Sequence, residues 1–351
     1  MVAALMAQDK DNNKHKYKTI INMKTKIFTL STVALLMFAG CTNDNEGAND
    51  PIDGEIRLSA AGLSVSTRSA SQTIQSERFD NNEKMDIFMT DDAGSGDGYS
   101  SYAQPLVATA KTTSGVTNLT FDAGAQFWPI LDHSLNIWAV YPSGLATSAG
   151  ATDVSFSVKA DQSTDANYKA SDLMTGIPSA GNPLPASKSF DASIPLKFKH
   201  LLTKININLS KTPATTEISD DELKKAKVTL LGILPTTTFT AKADVTQEVT
   251  AATGMVTDIL LYDGNTKAND ALTYSCIIVP QTIAAAAQFI KIEVPTASND
   301  LFLYATPSAL TLDAQKVYTY NIKIHKASII LTAEIQDWGD GGDTDGTAHI
   351  Q

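Results

Sequence analysis

Along much of this chain apolar and polar residues alternate one for one. In "EKMDIFMT" Met85, Ile87 and Met89 share one side, and in "SLNIWAVYP" Leu135, Ile137, Ala139 and Tyr141 do so, with Trp138 and Val140 opposite. "VSFSV" alternates Val154, Phe156 and Val158; "TKININL" alternates Ile205, Ile207 and Leu209; "FIKIEV" alternates Ile290, Ile292 and Val294. "VYTYNIKI" continues the pattern with Tyr318, Tyr320, Ile322 and Ile324. Successive side chains of an extended backbone point to opposite faces, so each stretch predicts a half-buried strand. Turn-rich segments such as "DDAGSGDG", "YPSGLATSAGATD" and "YDGNTKAND" separate them. Helical signal is scarce; Ser219 and Glu222 in "SDDELKKAK" have capping-box spacing before a short turn. The expectation is an all-β protein built of sandwiches. Residues 175–195 hold four prolines without apolar periodicity. They predict a linker, with one domain over 55–193 and a second over 194–351.

The N-terminal region breaks this pattern. "MKTKIFTLSTVALLMFAG", residues 23–40, has Lys24 and Lys26, then an apolar run from Ile27 to Ala39, then Gly40. That is the layout of a secretory signal, too short to span a bilayer core of roughly 20 residues. Phe38-Ala39-Gly40-Cys41 is similar to a bacterial lipobox, with Phe where Leu, Val or Ile is usual. A cysteine at such a site takes a diacylglycerol with fatty acyl chains such as palmitate, and the signal is cut before it. Cys41 is therefore the expected lipidation site, in preference to an ordinary signal peptide ending near a cysteine. Residues 1–22 precede a complete signal with its own Met23 and are expected to be a misassigned upstream extension. Residues 41–54 then form an acidic linker.

Charge and cysteine content narrow the function classes. With the first 40 residues removed, 311 residues remain, carrying a net charge of −15. That balance disfavours nucleic acid and anionic membrane surfaces as partners. Cys276, in "LTYSCIIVP", is then the only cysteine left. It reads as a buried core thiol rather than a nucleophile, so the exported domain must rest on core burial instead of disulfides. Five scattered histidines, with no HExxH, phosphate loop or GxSxG, present no catalytic constellation, and no enzyme activity or cofactor is expected. The tail "DWGDGGDTDGTAHI" lacks an EF-hand's ligand spacing and reads as a flexible acidic tail, so no metal is expected. His200 reads as a structural residue. Trp128, Trp138 and Trp338 read as core or sheet-edge packing.

In order, the lipobox, "EIRLSAAGLSVSTRSA", "SERFDNNEKMDIFM", "FWPILDHSLNIWAVYP", "ASDLMTG", "LKFKHLLTKININL" and "IILTAEIQDWG" resemble the fimbrillin family, the Mfa-like type V pilins of anaerobic Gram-negative bacteria. The resemblance covers nearly all of the mature chain. It implies two transthyretin-like β-sandwich domains in tandem and a fimbrial subunit exported as an outer-membrane lipoprotein. It also implies trimming by an arginine-specific protease, and partner subunits joined by β-strand exchange. The subunit would end in a surface fimbrium supporting adhesion to host or bacterial surfaces.

The chain's three arginines, Arg57, Arg68 and Arg78, lie within one 22-residue window, while 24 lysines spread along the sequence. Arg68, in the polar "VSTRSASQT", is the expected processing site; Arg57 falls inside a strand pattern and Arg78 precedes Phe79. In the segment that would be lost, Ile56, Leu58 and Ala60 share a face before the register shifts at Ala61-Gly62, as at a bulge. Removing that strand would open an apolar groove with unpaired backbone groups, which a second subunit's strand can refill. The candidate donor lies within residues 329–338, with Ile329, Leu331, Ala333 and Ile335 on one face. The same residues also fit the last strand of their own domain. Two other classes stay open: a surface lipoprotein that binds glycans through exposed aromatics, and a fimbrial anchor or tip component.

Overall fold

The computed structural model describes residues 54–61, 79–92, 102–129, 133–146, 148, 153–185, 193–212, 218–241, 248–263, 272–325 and 328–338. All of them belong to one compact unit, Asp53–Gln351. Almost every described element is a strand, as the alternation predicts.

Seven strands form a first group: β1 (Leu58–Ala61), β2 (Lys84–Asp91), β3 (Leu106–Thr113), β4 (Val116–Phe121), β5 (Leu135–Tyr141), β6 (Met174–Pro178) and β7 (Ile194–His200). Hydrogen bonding runs β7–β1–β4–β3–β2–β5–β6 and back to β7, a closed ring. Two separate facing sheets were expected here. The ring closes because β7 pairs with β1 on one edge, in parallel, and with β6 on the other, antiparallel. Closure leaves no free edge among these strands. Ile56, Leu58, Met85, Ile87, Met89, Leu196 and Phe198 are among the side chains that fill it.

Both ends of the expected linker 175–195 are strands, and residues 186–192 within it lie outside the described residues. Met174–Pro178 is a ring strand, and Gly176 lies opposite Phe198 in it. A Cβ on Gly176 would come within 2.9 Å of the Phe198 ring, so glycine is required by that close approach. Phe198 is itself held edge-on by Phe79, at 4.8 Å between ring centroids. Ile194–His200 likewise belongs to the ring, so the ring extends past residue 193, and the chain leaves it at Leu201-Leu202.

The second group is a sandwich. One sheet runs Tyr262–Asp263, β11 (Leu272–Ile278), β8 (Thr203–Lys211), β14 (Lys316–His325), β15 (Ser328–Asp337). The other runs β10 (Thr257–Leu260), β9 (Lys227–Ile233), β12 (Gln288–Val294), β13 (Asp300–Ala305). Their inner faces share one core: Ile205, Ile207, Tyr318 and Ile322 from the first meet Leu230, Ile290 and Ile292 from the second. The outer face of the first sheet carries polar ladders, with Ser275 Oγ donating to Asn206 and Asn208 donating to Asn321. This side follows the sequence pattern closely.

Two short helices close gaps. α1 (Asp165–Ala170) is capped by Thr164 and places Tyr168 flat against Tyr262, at 5.2 Å and 12°. α2 (Asp220–Leu223) carries the expected capping box: the Glu222 amide donates to Ser219 Oγ, and the Ser219 amide donates to the Glu222 carboxylate. The earlier strand Val154–Ser157 pairs with Thr236–Phe239, so part of the first half of the sequence is built into the second group.

β2 and β5 are buried on both faces rather than half-buried. Met85, Ile87, Leu135 and Ile137 point into the ring, while Phe88, Trp138 and Val140 join the sandwich core. Phe88 and Trp138 stack at 5.5 Å and 15°. Asp86, fully buried on that same side, accepts hydrogen bonds from Ser143 Oγ and the Gly144 amide, both at 2.8 Å. Those donors satisfy a carboxylate that would otherwise be costly to bury.

Candidate strand-exchange site

The first half of the site is β1 and its surroundings. β1 has only four residues, yet it is hydrogen-bonded on both edges. Leu58 stands opposite Ile194 on β7 and Leu119 on β4, and Ala60 stands opposite Leu196 and Thr117. Ile56 and Leu58 are buried at 2 % exposure each, and Ala60 packs against the same core, so the predicted inward face is present. Just upstream, Glu55–Ile56 pairs with Gln126–Phe127, and the Trp128 amide donates to the Gly54 carbonyl. Arg57 lies inside this paired segment. Its carbonyl accepts from the Ile194 amide at 2.7 Å, and its guanidinium is bound to Glu55 at 2.9 Å. A protease must draw its substrate out as an extended strand, and this backbone is already engaged. Cys41, Arg68 and Arg78 lie outside the described residues, Arg68 between the end of β1 and Phe79.

The second half is β15. It runs antiparallel to β14 from the His325–Ser328 pair to the Lys316–Asp337 pair, and among the described residues no strand pairs with its other edge. In this structure it is the last strand of its own sheet. Leu331 and Ile335 are half-buried against the sandwich core and Ala333 is buried; of Ile329 the backbone pairing is described.

The end of β15 is pinned to the ring. Trp338 is 4 % exposed, and its amide donates to the Gln315 carbonyl at 2.6 Å. Its ring lies flat on His200, the last residue of β7, at 3.8 Å and 8°. His200 Nδ1 is 2.8 Å from the Asp172 carboxylate, and both residues are buried. Beside them Lys204 Nζ lies 5.9 Å from the Trp338 ring centroid. Burial lowers the Lys204 pKa to about 8, against a smaller opposing pull from Asp172. The sequence indicated a structural His200 and a packed Trp338. It did not indicate that Asp172 and Lys204 would join them, because their contact is made only once β7, β8 and the end of β15 come together.

Chemistry beyond packing is sparse. Cys276 is fully buried in β11 opposite Ile205, and burial raises its thiol pKa far above the ordinary value. Among the described residues no three His, Cys, Asp or Glu side chains are grouped to hold a metal ion.

The Fimbrillin-like family model matches residues 67–338. The chain belongs to that family. Membership places this fimbrillin-like chain among fimbrial subunits, proteins of the cell surface. It is 23% identical to the proposed fimbrium subunit Fim1C of Bacteroides uniformis over 334 residues, covering 93% of this chain and 100% of that one. Its fold is similar to that of a proposed cell adhesion protein from Bacteroides uniformis, with a TM-score of 0.58 at 21% identity, over 82% of this chain and 99% of the other. A second such protein, from Bacteroides ovatus, aligns with a TM-score of 0.55 at 16% identity, over 81% of this chain and 96% of the other.

Proposed function

We propose that the chain is a fimbrial subunit exported as a lipoprotein on Cys41, cut after Arg68, and assembled by exchange of β15 into the slot that β1 vacates. The observation that carries this is the position of β1. It is the short strand that closes the ring between β4 and β7, and the segment that follows it holds Arg68. Cleavage there severs β1 from the body, so it leaves with the lipid. The ring then has two open edges and an apolar slot lined by Leu119, Ile194 and Leu196. Such a slot is costly to leave in water and is refilled by β-augmentation. β15 is the suitable donor because, among the described residues, it is paired on one edge only. Within a polymer the partners of each subunit are further copies or other fimbrial subunits.

The test is Arg68→Ala. Wild-type protein recovered from the cell surface should begin at Ser69 on N-terminal sequencing and run as polymer ladders on a gel. Arg68→Ala should remain full-length, membrane-bound and monomeric. Undiminished ladders from this variant would overturn the reading.

A further inference from the structure

The resident and donor strands carry the same spacing. Ile56-Arg57-Leu58-Ser59-Ala60 and Ile329-Ile330-Leu331-Thr332-Ala333 both read Ile, any residue, Leu, a hydroxyl residue, Ala. We propose that β15 of a second copy enters in the register and direction of β1, with Ile329, Leu331 and Ala333 taking the places of Ile56, Leu58 and Ala60. This rests on the strand-exchange reading above and adds the alignment that it leaves open.

Three features fix that register. First, the slot grades from large to small along its length. Leu58 fills the space between Ile194 and Leu119, while Ala60 lies between the buried Leu196 and Thr117. A shift of two residues one way would force Leu331 into the alanine position, and the other way would leave Ala333 where a leucine belongs. Either is unfavourable in a tightly packed core. Second, a slip of one residue would turn Ile330, Thr332 and Glu334 inward, burying a carboxylate among apolar neighbours. Third, in the proposed register Glu334 occupies the position of Ala61, whose cross-strand partner on β7 is the exposed Lys197. Opposite charges placed directly across two strands attract. The direction follows as well: an incoming strand that runs as β1 does lies parallel to β7 and antiparallel to β4.

Cysteine pairing tests this residue by residue. Ser59 is the cross-strand partner of Asn118 on β4. Thr332 takes the position of Ser59, so the acceptor carries Asn118→Cys and the donor carries Thr332→Cys. The donor also has Arg68→Ala, which keeps its own slot filled. Acceptor processed after Arg68 has lost Cys41, the donor's Cys41 is acylated in the reading above, and Cys276 is fully buried, so none of them competes. Mild oxidation should link the two chains, because directly opposed strand residues lie within disulfide reach. Donors with Ile330→Cys or Glu334→Cys are displaced by about 7 Å and should not link. An intact chain with Ser59→Cys and Asn118→Cys should form an internal disulfide, which checks the geometry. Linking through position 330 or 334 instead of 332 overturns the register while leaving strand exchange standing. No linking at any of the three positions, with no polymer formed, overturns both.

Discussion

At Lys204 an ammonium group sits 5 % exposed beside the Trp338 ring, close enough to Asp172 for that carboxylate to oppose the effect of burial. Its pKa in the folded chain is about 8, against an ordinary 10.5. Below pH 8 the folded and unfolded chains both carry the proton, and the full cost of burying the charge is present. Between about pH 8 and 10.5 the unfolded chain holds a proton that the folded one has lost, so this group's contribution to stability improves as pH rises. The change is about 3 kcal/mol across the window. Lys204→Met removes the group, so its advantage over the wild type should be largest near pH 7 and shrink toward pH 10. Urea midpoints of the two proteins at several pH values measure this, and their difference cancels the titration of other groups. An unchanging difference would show that Lys204 keeps its ordinary proton affinity. None of this was legible in "LLTKININL", where Lys204 reads as one of the polar positions of an alternating strand. Its burial comes from the end of a strand more than a hundred residues later in the chain. Cys276 was legible, because β-branched and apolar neighbours within its own strand suffice to bury it.

Among the elements, β15 is the one whose attachment is uneven. Along its length it is hydrogen-bonded, among the described residues, to one strand, while at its end Trp338 lies between Gln315 and His200. Aromatic stacking contributes about 1 kcal/mol beyond simple burial, and losing the side chain altogether costs about 3–5 kcal/mol. Trp338→Ala should therefore speed amide hydrogen exchange across Ser328–Asp337 by at least about tenfold relative to β8, whereas Trp338→Phe should restore most of the protection. Equal acceleration in β8 would show that the tryptophan supports the whole sandwich rather than the last strand. The strands themselves were readable from alternation, and the capping box at Ser219 from its spacing. Their connectivity was not. β7 pairs with β1, far earlier in the chain, and no local pattern encodes that. That the start of the expected linker is a strand has a local cause: glycine and prolines in "TGIPSAGNP" look like turn chemistry, yet Gly176 is there to admit the Phe198 ring.

For the molecule as a whole, the two cores are not independent. β2 and β5 present one face to the ring and the other to the sandwich, with the Phe88–Trp138 stack on the sandwich side. Unfolding either core exposes apolar surface that belongs to the other, so thermal unfolding should be a single transition, coincident by tryptophan fluorescence and far-ultraviolet circular dichroism. Trp138→Ala should lower stability by about 3–5 kcal/mol and separate the two signals. Coincident curves for the variant would show that the cores communicate by another route.

A strand bonded along both edges also has a mechanical meaning. The slot between β4 and β7 grips its occupant from two sides, in parallel on one and antiparallel on the other. Force along the occupant's axis would load its hydrogen bonds together, in shear, rather than peeling them one after another. Joints built as proposed above would therefore resist tension along the strand better than sideways peeling.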